Sequence, residues 1–166
     1  MKRIMLILML CLLLAGCGSV AQIPETTEET APMLQMGNPW KDYASLEEAE
    51  AASGLDFPLE DVVADSYKAE SYRVMNGALL EVTYRDHTFE VTVRMQEGED
   101  QDISGVYAEY KEIHTYEEES YTITLKYIQD GGSLQLISKD GFSYSFYAPN
   151  HYWGDSNADF LAFLNQ

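Results

Sequence analysis

From Tyr67 onward the apolar side chains recur at every second position, and this period of two constrains the fold more than any other feature. Leu80, Val82 and Tyr84 alternate with Glu81, Thr83 and Arg85, and Phe89, Val91, Val93 and Met95 alternate with Glu90, Thr92 and Arg94. Successive side chains of a strand point to opposite faces, so each run presents one apolar and one polar face. Asn76-Gly77 and Asp140-Gly141 each stand between two such runs. Both dipeptides accept the left-handed dihedrals of a tight hairpin turn. Asp130-Gly131-Gly132 supplies a third turn, after Tyr121–Ile128. With Val106–Ile113 counted, the pattern predicts about seven strands joined mostly by hairpins.

Two helices are expected at the ends of this sheet. Ser45-Leu46-Glu47-Glu48 is a capping box, in which the serine hydroxyl accepts an amide hydrogen bond and Glu48 reaches back. Gly54 is a natural stop, so one short helix turns Leu46, Ala49 and Ala52 toward the core. Phe57-Pro58 begins an extended stretch. Asp155 or Ser156 can cap a final helix through Leu164, with Phe160, Leu161, Phe163 and Leu164 as its apolar stripe. Helix, antiparallel meander, helix makes an α+β domain. One sheet face should be wet and the other covered by the helices.

The chain of 166 residues is 46% hydrophobic, enough for one domain with a real core. It carries 28 acidic and 10 basic side chains, a net charge of −18. Phosphate binding needs Lys and Arg to displace counterions, so nucleic acid is a poor partner. Lys2 and Arg3 precede an apolar run from Ile4 to Ala15, the form of a secretory signal peptide and too short to span a bilayer. The run ends in Leu14-Ala15-Gly16-Cys17, which resembles a bacterial lipobox. That resemblance implies cleavage before Cys17, an acylated thiol, and attachment to the outer side of the cell membrane. Residues 1–16 are then the signal peptide. Cys11 leaves with it, and no free thiol remains for a disulfide, a nucleophile or a metal.

Residues 17–37 hold the lipidated cysteine and an acidic, Thr- and Pro-containing stretch without aromatic residues. Such a composition does not offset chain entropy and reads as a flexible tether. All the aromatics lie from Trp40 onward, which sets the domain at residues 38–166. Within it, Asn38-Pro39-Trp40 and Ser45-Leu46-Glu47-Glu48-Ala49-Glu50 with Gly54 resemble the opening of an uncharacterised family of bacterial extracytoplasmic domains. These domains occur in Gram-positive lipoproteins and on the outer side of some membrane-bound anti-sigma factors. Asp102-Ile103-Ser104-Gly105-Val106-Tyr107 with Tyr110 is similar to the family's central motif, and Gly141-Phe142-Ser143-Tyr144-Ser145 to its final hairpin. The resemblance implies a fold and an extracytoplasmic address, and no reaction.

The residues themselves offer little chemistry. The acidic loop Glu97-Gly98-Glu99-Asp100-Gln101-Asp102 could wrap oxygens around Ca²⁺, but its spacing is not that of an EF-hand, and a solvated connection is the plainer reading. Glu117-Glu118-Glu119 cannot flank a glycosidic bond from one turn and reads as a charged, soluble turn. His87, His114 and His151 fall in separate segments without zinc-ligand spacing. Serines are present without a Gly-x-Ser-x-Gly elbow. Tyr144, Tyr147, Tyr152 and Trp153 either cover a sheet face or form an aromatic binding surface. The expectation is a lipid-anchored, extracytoplasmic binding or sensing module that is not an enzyme and takes no cofactor. Its partner would be an envelope protein or glycan. A structural accessory lipoprotein with an acidic surface is the alternative, and a carboxylate-based envelope hydrolase stands behind both.

Overall fold

Alternating strands leave backbone donors and acceptors that must be paired, and here they are paired within a single antiparallel sheet. The structure is a computed structural model and describes residues 38–151 and 160–165. The elements in chain order are β1 (Trp40–Tyr43), α1 (Leu46–Ser53), β2 (Val62–Val63), β3 (Tyr67–Met75), β4 (Leu79–Arg85) and β5 (Glu90–Glu97). They continue with β6 (Tyr110–Glu117), β7 (Tyr121–Ile128), β8 (Ser133–Lys139) and β9 (Phe142–Ala148). The order across the sheet is β1-β3-β4-β5-β9-β8-β7-β6, with β2 paired to one end of β3. The α+β class holds, with the sheet dominant.

Four details differ from the sequence expectation. The described residues form nine strands rather than seven, because β1 and β2 are too short to show an alternation. The strand expected at Val106–Ile113 runs from Tyr110 to Glu117 instead. The sheet is not one meander: residues 98–109 cross to the far edge, so β9, not β6, lies beside β5. At the C-terminus Phe160 is α-helical, but the chain then closes in a four-residue 3₁₀ turn, Ala162–Asn165, so the expected helix does not run on to Leu164. There Leu164 N–H bonds to the Leu161 carbonyl at 3.0 Å, the tighter three-residue closure. The expected start of that helix at Asp155 or Ser156, like Tyr152, Trp153 and Cys17, lies outside the described residues.

Local signals act as expected at α1 and at the turns. Ser45 Oγ accepts the Glu48 amide at 3.3 Å, and Glu48 Oε2 accepts the Ala44 amide at 3.1 Å. Gly54 takes φ 74° and donates to the Glu50 carbonyl at 2.7 Å. Lys139 faces Phe142 across the Asp140-Gly141 turn, whose two residues have φ of 53° and 85°. The other Asn-Gly turn gains a third residue, since Met75 pairs with Leu79.

The core lies on the face that α1 covers. Ala49 packs with Leu55, Phe57 and Leu59 against Leu80, Val82, Tyr84, Val91, Val93, Met95 and Phe146. Burying each large aliphatic side chain stabilises the fold by about 2 kcal/mol. Phe160 closes this core with ring edges toward Tyr67, Tyr84 and Phe146, at centroid distances of 5.1, 5.7 and 6.4 Å. The Tyr84 hydroxyl donates to the Glu60 carbonyl at 2.9 Å, and burial raises its pKa. The opposite face is not simply wet. Glu81, Ser143, Ser145 and Leu134 are buried there, on the side crossed by residues 98–109.

Candidate functional site

The crossing segment, residues 98–109, is tied down by an ion cluster that three strands bring together. Arg73 in β3 is paired with Glu81 in β4, and Glu81 with Arg94 in β5. Glu81 is 1% exposed. Its Oε1 accepts Arg73 Nε at 2.8 Å, with Arg73 Nη2 also upon it, and its Oε2 accepts Arg94 Nε at 2.7 Å. The Trp40 ring lies 4.9 Å from the Arg73 guanidinium carbon and 5.3 Å from that of Arg94. Arg94 Nη1 then donates to the carbonyls of Ile103 (3.0 Å) and Ser104. Gly105 has φ 64°, and a Cβ there would stand 2.6 Å from Arg94 Nη1. A side chain there would strain the backbone and press on the guanidinium that grips the segment, so glycine is favoured.

Further along, Lys126 Nζ of β7 reaches Asp102 Oδ2 at 2.8 Å, while Asp102 Oδ1 accepts the Ser104 hydroxyl at 2.6 Å. Burial alone would raise the Asp102 pKa, but the bonds from Lys126 and Ser104 outweigh it and hold the carboxyl below its ordinary value. Ser143 Oγ accepts the Gln101 amide at 3.0 Å and donates to the Gly98 carbonyl at 2.7 Å.

Two concavities border the segment. A cavity of about 220 Å³ is lined by Asp100, Asp102, Thr122, Thr124, Leu136 and Ser138 among others. A wider hollow of about 540 Å³ follows residues 105–110. Tyr107 beside it is 100% exposed. Beyond the segment, β6 forms the sheet edge, with Ile113 56% and Tyr116 53% exposed.

The sequence-predicted residues are distributed as follows. In the acidic loop, Glu99 Oε1 accepts the Gly141 amide at 2.9 Å and Asp102 is bound to Lys126, so these two carboxylates turn to different partners. Among the described residues no three His, Cys, Asp or Glu side chains stand together to hold a metal ion. Glu117, Glu118 and Glu119 are exposed at the β6–β7 turn. His87 and His151 are brought to one hollow of about 200 Å³, where the His151 ring lies 4.2 Å from that of Phe89. His114 is remote from them, 3.4 Å from Glu112 on β6. Of the four aromatics singled out, Tyr152 and Trp153 lie outside the described residues, and the other two sit on opposite faces of β9. Tyr144 is 5% exposed within the core, where burial first and Asp140 second push its pKa up to about 12, and Tyr147 lies half-buried on the opposite face.

Sequence reasoning missed Tyr107, Ile113 and Tyr116. Tyr110, Ile113 and Tyr116 recur every three residues, a spacing that sends successive apolar side chains to alternate faces of a strand, so neither face stands out as the buried one. It also placed Glu81 and Arg94 in water, since nothing local shows that a distant segment will cover them. The chain matches no family model, no curated protein and no solved structure.

Proposed function

We propose that this chain is a lipid-anchored, extracytoplasmic binding module, without enzymatic activity, whose contact surface is the crossing segment together with β6. The anchor rests on the lipobox-like Leu14–Cys17, and the address is also that of the family that residues 38–166 resemble. One observation carries the binding reading. Among the described residues four large hydrophobic side chains are exposed, and three of them, Tyr107, Ile113 and Tyr116, lie on this segment and strand. Large apolar side chains gain by leaving water, and tyrosine is a frequent anchor at protein contacts. Ile113 and Tyr116 are an odd number of positions apart, so they flank the edge from its two faces. A partner lying along β6 would touch both.

The experiment has two arms. Cys17→Ser should abolish incorporation of radioactive fatty acid into the full chain in its bacterial host, and equal labelling would overturn the anchor. A photo-crosslinking residue at Tyr107 or Tyr116 should give discrete adducts that the same residue at exposed Val62 does not. Identical patterns at all three positions would overturn the contact surface.

A further inference from the structure

The outer edge of β6 presents backbone groups as well as side chains, and their phase can be derived. At the turn into β7 the Glu118 amide donates to the Tyr121 carbonyl at 2.9 Å. Bonded and non-bonded pairs alternate along an antiparallel ladder. Tyr116 pairs with Ile123 and His114 with Leu125, two and four positions further on, so these residues bond to β7. Ile113, Thr115 and Glu117 therefore aim their N–H and C=O groups away from it. Seven of the eight residues of β6 are exposed, and among the described residues no strand pairs with its outer side.

Charge selects the occupant of this edge. Glu109, Glu112, Glu117, Glu118 and Glu119 are exposed on β6 or next to it, against one lysine there, Lys111. Residues 38–166 hold 25 acidic and 8 basic side chains, a balance of −17. Five of those basic residues, Arg73, Arg85, Arg94, Lys126 and Lys139, already bind carboxylates. A second copy of the chain would bring like charge to the edge, and a cationic strand would relieve it.

We propose that β6 accepts an added strand: an extended segment of a partner protein with lysine or arginine opposite Glu112 and Glu117 and apolar residues opposite Ile113 and Tyr116. Main-chain bonds to Ile113, Thr115 and Glu117 supply affinity, and the alternating side chains supply selectivity. This rests on the binding-module reading and names the partner's chemistry.

The probe is a capped hexapeptide, lysine–valine–threonine–threonine–valine–lysine, which offers the same pattern in either direction. It is added to the full chain in detergent, and amide exchange is read by NMR. Exchange at Ile113, Thr115 and Glu117 should slow by about tenfold or more at saturation, while Tyr116 and His114, already bonded to β7, change little. Affinity should fall as salt rises. A peptide with glutamate for lysine, and one N-methylated at the amides that face β6, should both fail to bind. Thr115→Pro removes an outward donor and leaves the β7 ladder intact, so it should fold and lose the peptide. Equal binding by the glutamate peptide, or protection elsewhere on the sheet, would overturn the proposal. So would protection that appears without peptide as protein concentration rises, since the edge would then belong to a second copy. If the hexapeptide leaves these amides unprotected while crosslinks at Tyr107 and Tyr116 persist, strand addition falls and the binding surface stands.

Discussion

Glu81→Ala tests whether the buried ion cluster holds the crossing segment in place. Removing one partner of a buried ion pair costs about 3–5 kcal/mol, because the remaining charge is left without compensation. Two features place this site at the lower end. Arg73 is 37% exposed along its side chain and can turn its guanidinium to water. Arg94 keeps the carbonyls of Ile103 and Ser104. The expected loss is about 3 kcal/mol, against a total of about 5–15 kcal/mol for an ordinary domain. For a domain of this size that lowers Tm by about 10 °C, read by circular dichroism. The substitution also removes one negative charge from an overly negative chain, which acts in the opposite direction, so a fall cannot come from general repulsion. Replacing Arg73 and Arg94 by Met together with Glu81 by Leu should restore stability to within about 1 kcal/mol of the parent. That triple variant still loses the grip on the segment, and amide exchange at Ile103–Tyr107 should quicken. A Tm for Glu81→Ala within about 2 °C of the parent would refute the reasoning.

Gly132→Ala should be costlier than Gly141→Val although it adds less. At Gly132, with φ 88°, a Cβ would stand 2.5 Å from the Pro149 carbonyl oxygen, whereas at Gly141, with φ 85°, no atom lies within 4 Å. Expected losses are about 3 and about 1 kcal/mol in urea denaturation, and the reverse order would contradict the close approach. Asp102 has a lowered pKa in the fold, so its contribution is full above about pH 4 and is lost as pH falls through the folded-state value. Asp102→Asn should therefore flatten the acid limb of stability, and an unchanged limb would show that the Lys126 bond is not made in solution. NaCl should stabilise the chain smoothly by screening its −18 charge. CaCl₂ at matched ionic strength should do no more. A saturating Ca²⁺ effect abolished by Asp100→Asn and Asp102→Asn would establish a cation site instead.

What could be read from the sequence was whatever is decided within a few residues. The alternation of β4 and β5, the Ser45 cap, the Gly54 stop and the Asp140-Gly141 turn each depend on local dihedrals and periodicity. β1 escaped because four residues cannot show a period. The position of β9 escaped because a hairpin pattern fixes neighbours in the chain, not which outer strand comes to lie against which. The candidate surface follows from that same arrangement: β6 is an edge, and Ile113 and Tyr116 are exposed, only because the crossing segment carries the strand past β9, β8 and β7.

The pairing of β5 with β9 has a consequence in time. Glu97 meets Phe142 and Thr92 meets Tyr147, so the bond between the two halves of the sheet waits for the last strand to be synthesised. At a synthesis rate of about 5–20 residues per second, β5 stands without this partner for roughly 2–9 s after it is made. Closure of so long a loop also makes the pairing slow once all of it is present. A truncation before Phe142 does not yield a smaller protein of the same kind, but a half-sheet with β5 as an open rim. Under the export proposed above, such lateness would be useful: the first half has nothing to close upon until the whole has been made.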